Sequence, residues 1–217
     1  MPTSCQRTID MLTKRGHTVK FANDDPLKCD IAYFTGGEDI HPITYGQAIL
    51  PTTKANLRRD RRELSLLRKL PYEMPKIGVG RGAQLLCVWS GGDLYQDVDN
   101  HVNAHDVITY HEYDCFLVPS AHHQMMKPHP DTSWIMWTAK EAHKVATDSE
   151  VTDVSKNHDF DDIEMCFFYN TNSLACQPHP EEEGYGEFTD KFFESIDYMF
   201  SKEIKDKKEN TNTKQVS

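Results

Sequence analysis

Apolar residues along this chain switch repeatedly between helical spacing and short continuous runs. Ile9, Met11 and Leu12 predict a first helix that ends at Gly16, and residues 18–22 predict a strand after it. Similar alternation continues to the end of the apolar part of the chain. Because parallel strands need crossover connections, this order of elements predicts an α/β domain with a largely parallel sheet.

The remaining elements follow from the same patterns. Further strands are predicted within residues 29–34, 75–79, 107–118, 134–139, 162–168 and 173–177, and helices within 61–70, 83–89 and 187–200. Residues 44–56 lack a clear period and are predicted to form a surface excursion. Lys, Glu, Asn, Thr and Gln dominate after residue 201, so we expect a domain over 1–201 and a disordered polar tail over 202–217.

Length and charge exclude several classes of function. A chain of 217 residues has room for one domain with its own core. Its net charge of −10 argues against a nucleic-acid surface, which needs a basic stripe to neutralise phosphates. The basic run over residues 58–62 is interrupted by Asp60, and it is predicted to be a solvated helix face.

Cysteine usage points to a reducing compartment. The six cysteines are scattered without a C-x-x-C pair, which predicts buried free thiols in a cytoplasmic protein. The sequence shows neither an apolar signal segment nor a run long enough to span a membrane.

Two short segments carry the candidate chemistry. Residues 75–84 predict a strand that turns sharply into a helix, as at a nucleophile elbow, but the elbow position is Gly80, which has no attacking group. Residues 177–181 place His179 and Glu181 two positions apart, so both side chains can lie on one side of an extended segment. The pair has the composition of a base and its orienting carboxylate.

These segments resemble class I glutamine amidotransferases, whose elbow reads G-[IV]-C-x-G-x-Q and whose second signature reads Q-x-H-P-E. Residues 36–46, 91–97, 105–107 and 120–124 are similar to motifs of the γ-glutamyl-γ-aminobutyrate hydrolase-like branch, in the same order. The resemblance implies a flavodoxin-like three-layer α/β sandwich with a mostly parallel central sheet. The family usually opens with a core strand, and none is predicted before the first helix here.

The resemblance also implies roles for residues. Gly80 occupies the nucleophile position, His179 would manage protons and Glu181 would hold its imidazole. Backbone N–H groups of Gly37 and Arg81 would stabilise an oxyanion.

Four polar side chains match positions that the resemblance places around the substrate. These are Gln84, Ser120, His122 and His123, although a packing role is an equal alternative for Gln84. An alternative is a metal site assembled from several of these imidazoles and a carboxylate, with the candidate ligands His101, His105, His122, His123, His179, Asp39 and His41. Since no compact ligand pattern such as H-E-x-x-H is present, we predict structural or substrate hydrogen bonds for His105 and His122, with no metal and no cofactor.

The implied reaction is cleavage of the γ-glutamyl amide bond of glutamine or a γ-glutamyl amine through a Cys-His-Glu triad, impaired here by Gly80. Whether this glycine is natural or introduced stays open. A stand-alone hydrolase is preferred over a glutaminase subunit that serves a separate synthetase. The alternative is a catalytically inactive pseudoenzyme that binds a small ligand or a partner protein.

Overall fold

The computed structural model describes residues 4–23, 25–141, 146–147 and 162–214. Helices in this part of the chain are α1 (Ser4–Lys14), α2 (Leu57–Leu67), α3 (Arg81–Trp89) and α4 (Gly186–Lys214). Its strands are β1 (Ala32–Phe34), β2 (Lys76–Val79), β3 (Asp93–Tyr95), β4 (Asp97–Val98), β5 (His105–Thr109), β6 (Cys115–Val118), β7 (Met125–Lys127), β8 (Ser133–Ala139), β9 (Ala146–Thr147), β10 (Ile163–Phe168) and β11 (Ser173–Cys176).

Seven strands form the main sheet, in the order β1-β2-β11-β10-β8-β5-β6. Strand β2 is parallel to both β1 and β11, and this parallel core carries the predicted elbow. The sheet is extended from β11 to β6 by antiparallel pairings. Two short ladders, β3-β7 and β4-β9, lie outside it. The predicted α/β fold is confirmed.

Helices cover both faces of the sheet, which gives the expected three layers. Side chains of β10 alternate between the two faces, as the pleat requires. Met165 and Phe167 pack with Phe188 and Phe192 of α4. Cys166 and Phe168, on the opposite face, belong to the cluster formed by α2 and α3. Both halves of the core therefore meet at β10, which is buried along its whole length.

The predicted strand over residues 18–22 is wrong. This segment has no regular structure, and Phe21 is 61% exposed. Strand β1 ends the main sheet and pairs with β2, not with this segment. A strand is stable only when its backbone groups find a ladder partner, and apolar residues alone do not supply one.

The last helix runs further than composition predicts. Helix α4 continues to Lys214, through most of the segment expected to be disordered, while residues 215–217 lie outside the described residues. Lys and Glu are good helix formers, so a polar segment can extend a helix that packing has already nucleated. The domain boundary at residue 201 stays a prediction. Within the described ranges, no helix has the length and apolar character needed to cross a membrane.

Candidate functional site

The elbow lies where β2 passes into α3. Gly80 has φ 57° and ψ −117°, a conformation that glycine adopts without the steric cost a Cβ would bring. Its backbone N–H donates to the carbonyl of Cys176 at 2.9 Å, which fixes the turn against β11. The sharp turn that the sequence predicts is therefore present at the position where a nucleophile would stand.

His179 and Glu181 face this turn. Because the Glu181 carboxylate can only accept, Nδ1–H of His179 donates to its Oε1, at 2.9 Å. A Cβ placed on Gly80 would lie 2.6 Å from Nε2 of His179 and 2.9 Å from its Cε1. The structure thus brings the three predicted catalytic positions together, with the imidazole edge in the space that a residue-80 side chain would need.

The glycine loop after β1 closes against the elbow. A Cβ on Gly80 would lie 3.6 Å from Cα of Gly36, and one on Gly36 would lie 2.5 Å from Cε1 of His179. Gly37 has φ 153°, and a Cβ there would lie 3.4 Å from Cδ of Arg81. The two residues predicted to offer oxyanion N–H groups are therefore neighbours in space.

Helix α2 holds both the loop and the elbow through buried charge. The Arg81 guanidinium pairs with Asp60 and with Glu63, and Asp60 is fully buried. Asp60 also accepts from the backbone N–H of His41 at 3.0 Å, and Arg59 donates to the carbonyl of Gly36 at 3.1 Å. The prediction that run 58–62 is a solvated helix face is wrong at Asp60. Its signal was a lone acid that interrupts a basic run.

Three of the residues near the predicted substrate region converge on one carbonyl. The carbonyl oxygen of Gln124 accepts from Nε2 of Gln84 at 3.2 Å, from Nδ1 of His122 at 3.0 Å and from Nε2 of Gln177 at 3.4 Å. Gln84 is buried, and Ser120 donates through its hydroxyl to the carbonyl of His101. These side chains build the wall next to residues 177–181.

His123 is placed differently from His122. Its Nδ1 lies 3.0 Å from Asp97, and its Nε2 lies 3.1 Å from Asp39 of the glycine-loop segment. The hydrogen bond with Asp39, supported by Asp97, raises the pKa of His123 to about 9. His123 is therefore a cation at neutral pH, fixed between two carboxylates.

Gln96 organises the predicted surface excursion, a role that sequence reasoning missed. Its fully buried amide oxygen accepts from the backbone N–H of Leu50 at 3.1 Å and from the hydroxyl of Thr53 at 2.9 Å. Its amide nitrogen donates to Gln47 and to the carbonyl of Ala48. Residues 47–53 are therefore anchored to the wall of the site.

Comparison with known proteins identifies the family. The profile of peptidase C26 matches residues 26–181. The chain belongs to the peptidase C26 family. This peptidase C26 chain is 36% identical over 155 residues to the glutamine amidotransferase-like protein YvdE homolog of Lactococcus lactis subsp. cremoris, covering 56% of this chain and 81% of the relative.

Solved structures agree with the fold. A protein described as a GMP synthase subunit from Thermoplasma acidophilum matches with TM-score 0.64 and 16% identity, covering 95% of this chain and 93% of the other. A glutamine amidotransferase from Thermotoga maritima matches with TM-score 0.51 and 14% identity, covering 90% and 71%. The peptidase C26 chain is thus glutamine amidotransferase-like in fold and family.

The peptidase C26 chain also contains a cluster of histidines around Glu164, a residue that sequence analysis did not single out. Imidazoles of His101, His105 and His122 surround the carboxylate of Glu164, which is fully buried in β10. Burial alone would raise the pKa of Glu164, but the three imidazoles hold it well below its usual range. Burial opposes protonation of His101, yet Glu164 raises its pKa.

The buried thiols of the peptidase C26 chain are poorly suited to act as nucleophiles. All six cysteines are free, and Cys87, Cys166 and Cys176 are buried. Burial raises the pKa of the Cys87 thiol to about 12, so the nucleophilic thiolate is disfavoured. The prediction of buried thiols is wrong for Cys5 and Cys115, which are exposed.

Proposed function

We propose that this chain carries a γ-glutamyl hydrolase-type site of the γ-glutamyl-γ-aminobutyrate hydrolase-like branch that retains its base and orienting carboxylate but lacks its nucleophile. Such a site binds a γ-glutamyl amide without forming a covalent intermediate. The observation that carries the proposal is the hydrogen bond of His179 Nδ1 to Glu181 at 2.9 Å beside the positive-φ turn at Gly80, because it leaves Nε2 facing the elbow.

The division of labour in a complete site follows from this geometry. A thiol at position 80 would attack the amide carbonyl, and His179 would take the thiol proton through Nε2 and return it to the leaving amine. Glu181 keeps the Nδ1 proton in place, so Nε2 presents its lone pair to the elbow. Backbone N–H groups of Gly37 and Arg81 would receive the negative charge on the carbonyl oxygen.

A second candidate is a binding protein whose pocket would not support turnover even with a thiol at position 80. The position of the imidazole favours it. The ring of His179 enters the space of a residue-80 side chain, as a site that has relaxed around glycine would. A separate synthetase is one partner that this chain could bind. The structural similarity to a protein described as a GMP synthase subunit supports that version of the candidate. A cytoplasmic location remains a prediction of the cysteine pattern.

Glutamate release tests the proposal. The wild-type chain, Gly80→Cys and Gly80→Ala would be compared on glutamine and on γ-glutamyl amines. We expect turnover from the cysteine form alone, and a difference of up to roughly a millionfold, since a nucleophile and its base act as a unit. Gly80→Ala is the matched control because it adds the same Cβ and the same backbone strain without a thiol.

The outcomes separate the two candidates. Turnover by Gly80→Cys alone supports a hydrolase disabled at one residue. If both variants fold but neither releases glutamate, while calorimetry shows that the wild-type chain binds a γ-glutamyl amine, the binding protein is supported. Glutamate release by the wild-type chain at the rate of the cysteine form would overturn the proposal.

A further inference from the structure

The histidine cluster has a fixed arrangement of protons. Nδ1 of His101 lies 2.8 Å from the carbonyl oxygen of Asp99, Nδ1 of His105 lies 3.2 Å from that of Asn103, and Nδ1 of His122 lies 3.0 Å from that of Gln124. A carbonyl oxygen only accepts, so each Nδ1 carries the proton. In the neutral ring, each Nε2 then presents a lone pair.

All three Nε2 atoms lie beside one buried carboxylate, and that of His105 has hydrogen-bonding geometry to it. Nε2 of His105 and Nε2 of His101 lie 3.1 Å and 3.3 Å from Oε1 of Glu164. Nε2 of His122 lies 3.3 Å from Oε2. Among the described residues, Nε2 of His101, Nε2 of His122 and Oε2 of Glu164 are buried and make no well-directed hydrogen bond. The side chains of His101 and His122 are 1% and 8% exposed.

The three rings are crowded around the carboxylate. The ring centroid of His101 lies 5.0 Å from those of both His105 and His122. Several ring nitrogens and carboxylate oxygens therefore share one buried site, where polar atoms need a common partner. A cation between His101, His105 and Glu164 would be such a partner.

We propose that this cluster binds one divalent metal ion of the zinc class. His101, His105 and Glu164 form the ligand set, since their ligand atoms all lie within 4.8 Å of one another, and Nε2 of His122 lies next to this set, 3.3 Å from the second oxygen of Glu164. Neighbouring ligands of tetrahedral zinc lie about 3.3 Å apart, given metal–ligand bonds of about 2.0–2.1 Å. The nitrogen–oxygen distances here are 3.1–3.3 Å.

Neighbouring groups have the composition expected around such a metal. Imidazole ligands usually donate their second nitrogen to a carbonyl or carboxylate, and all three rings do so here. Oδ2 of the buried Asp162 lies 3.3 Å from Nε2 of His101, so two carboxylates can balance the two charges of the ion.

The ion would hold two loops to the centre of the sheet. His101 lies in the loop before β5, His122 lies between β6 and β7, and Glu164 lies on β10. The carbonyl of Glu164 accepts from the backbone N–H of Gln177 at 2.8 Å, so the same strand contacts the segment that carries His179. The role assigned to the ion is therefore structural, since it would tie both loops to the strand that also contacts the His179 segment.

Metal binding can be measured on the full chain. The wild-type protein would be stripped with a chelator, dialysed and titrated with Co²⁺ and then Zn²⁺. We expect one equivalent of Co²⁺ with the visible absorption of a tetrahedral site, displaced by Zn²⁺. We also expect a rise in Tm of about 5 °C or more when the ion is at about 100 times its Kd.

Variants distinguish this site from surface histidines. His105→Ala removes the least buried ligand, at 15% side-chain exposure, and is expected to weaken Co²⁺ binding at least tenfold, as is Glu164→Gln if it folds. His129→Ala is the matched control, because His129 is half exposed and lies outside the cluster. Failure of the wild-type chain to bind one equivalent, or equal binding by wild type and His105→Ala, would overturn the proposal.

Discussion

This molecule contains two histidine–glutamate arrangements, one in the segment after β11 and one around Glu164 of the neighbouring strand β10, and they use opposite ring nitrogens. At the elbow, Nδ1 of His179 donates to Glu181, and Nε2 of the same ring faces Gly80. In the cluster, backbone carbonyls hold each Nδ1, and Nε2 of His105 faces Glu164 at 3.1 Å. Both places combine histidine with glutamate. At the elbow the Glu181 carboxylate orients the ring through Nδ1, whereas in the cluster the Glu164 carboxylate lies beside Nε2.

The difference shows that the hydrogen-bond partner of Nδ1 determines whether Nε2 of the same ring is suited to act as a base or as a metal ligand. A carboxylate at Nδ1 strengthens the ring as a base and leaves Nε2 available to a reacting group. Carbonyls at Nδ1 fix the tautomer without neutralising the ring, which suits Nε2 to a cation. The elbow thus has a base without a nucleophile, whereas the cluster has a complete ligand set.

The largest expected effect tests the carboxylate at the elbow. In the Gly80→Cys background, Glu181→Gln should lower turnover about 10⁴-fold, because an amide at this position favours the wrong imidazole tautomer. Glu182→Gln is the control, since that neighbouring acid is part-exposed and pairs with Arg7. Glutamate release would be measured for both, and equal losses would contradict an orienting role for Glu181.

The next effect concerns the buried ion pair between Arg81 and Asp60, which holds the elbow to α2. Asp60→Asn leaves the buried Arg81 guanidinium without its fully buried carboxylate partner and should lower the free energy of unfolding by about 3–5 kcal/mol. Asp25→Asn breaks an exposed pair with Lys28 and should leave the free energy of unfolding nearly unchanged. Urea unfolding measures both. Similar small losses would show that the buried pair does not hold α2 to the elbow.

Local sequence patterns predicted most of the elbow site. The turn at Gly80 follows from a short apolar strand that runs into a helix, and the contact of His179 with Glu181 follows from their two-residue spacing. Both depend on neighbours in sequence, so periodicity and spacing were sufficient. The glycine loop was expected through resemblance, and the structure places it beside the elbow.

The cluster could not be predicted in this way because its parts come together only through strand pairing. His105 lies on β5 and Glu164 on β10, 59 positions apart, with β8 between them in the sheet. One signal was available, namely a glutamate inside an otherwise apolar strand. A buried charge of this kind needs a partner, but the sequence does not say which of eleven histidines supplies it.

A smaller effect separates strain from crowding at the elbow. Gly80→Ala should lower the free energy of unfolding by about 1–3 kcal/mol, because it imposes a Cβ on a positive φ and also displaces the His179 ring. Gly91→Ala, at φ 87° with nothing within 4 Å, isolates the backbone cost at about 1 kcal/mol. Adding His179→Ala to Gly80→Ala should remove the excess in a double-mutant cycle. If Gly80→Ala still costs more than Gly91→Ala after the His179 side chain is removed, the extra loss of stability arises from the backbone and not from crowding.

The smallest expected effect is an absence of reaction, and it tests whether another thiol can serve the elbow. In the native protein, a disulfide reagent at pH 8 should modify Cys5 and Cys115 quickly and leave Cys87 untouched, since that thiol is buried and its pKa is raised to about 12. The same treatment in denaturant should modify all six cysteines, which controls for reagent activity. Mass mapping identifies each site. Fast modification of Cys87 in the native protein would show that a thiol on the helix after the elbow is accessible. The proposal that the elbow has no thiol available would then fail.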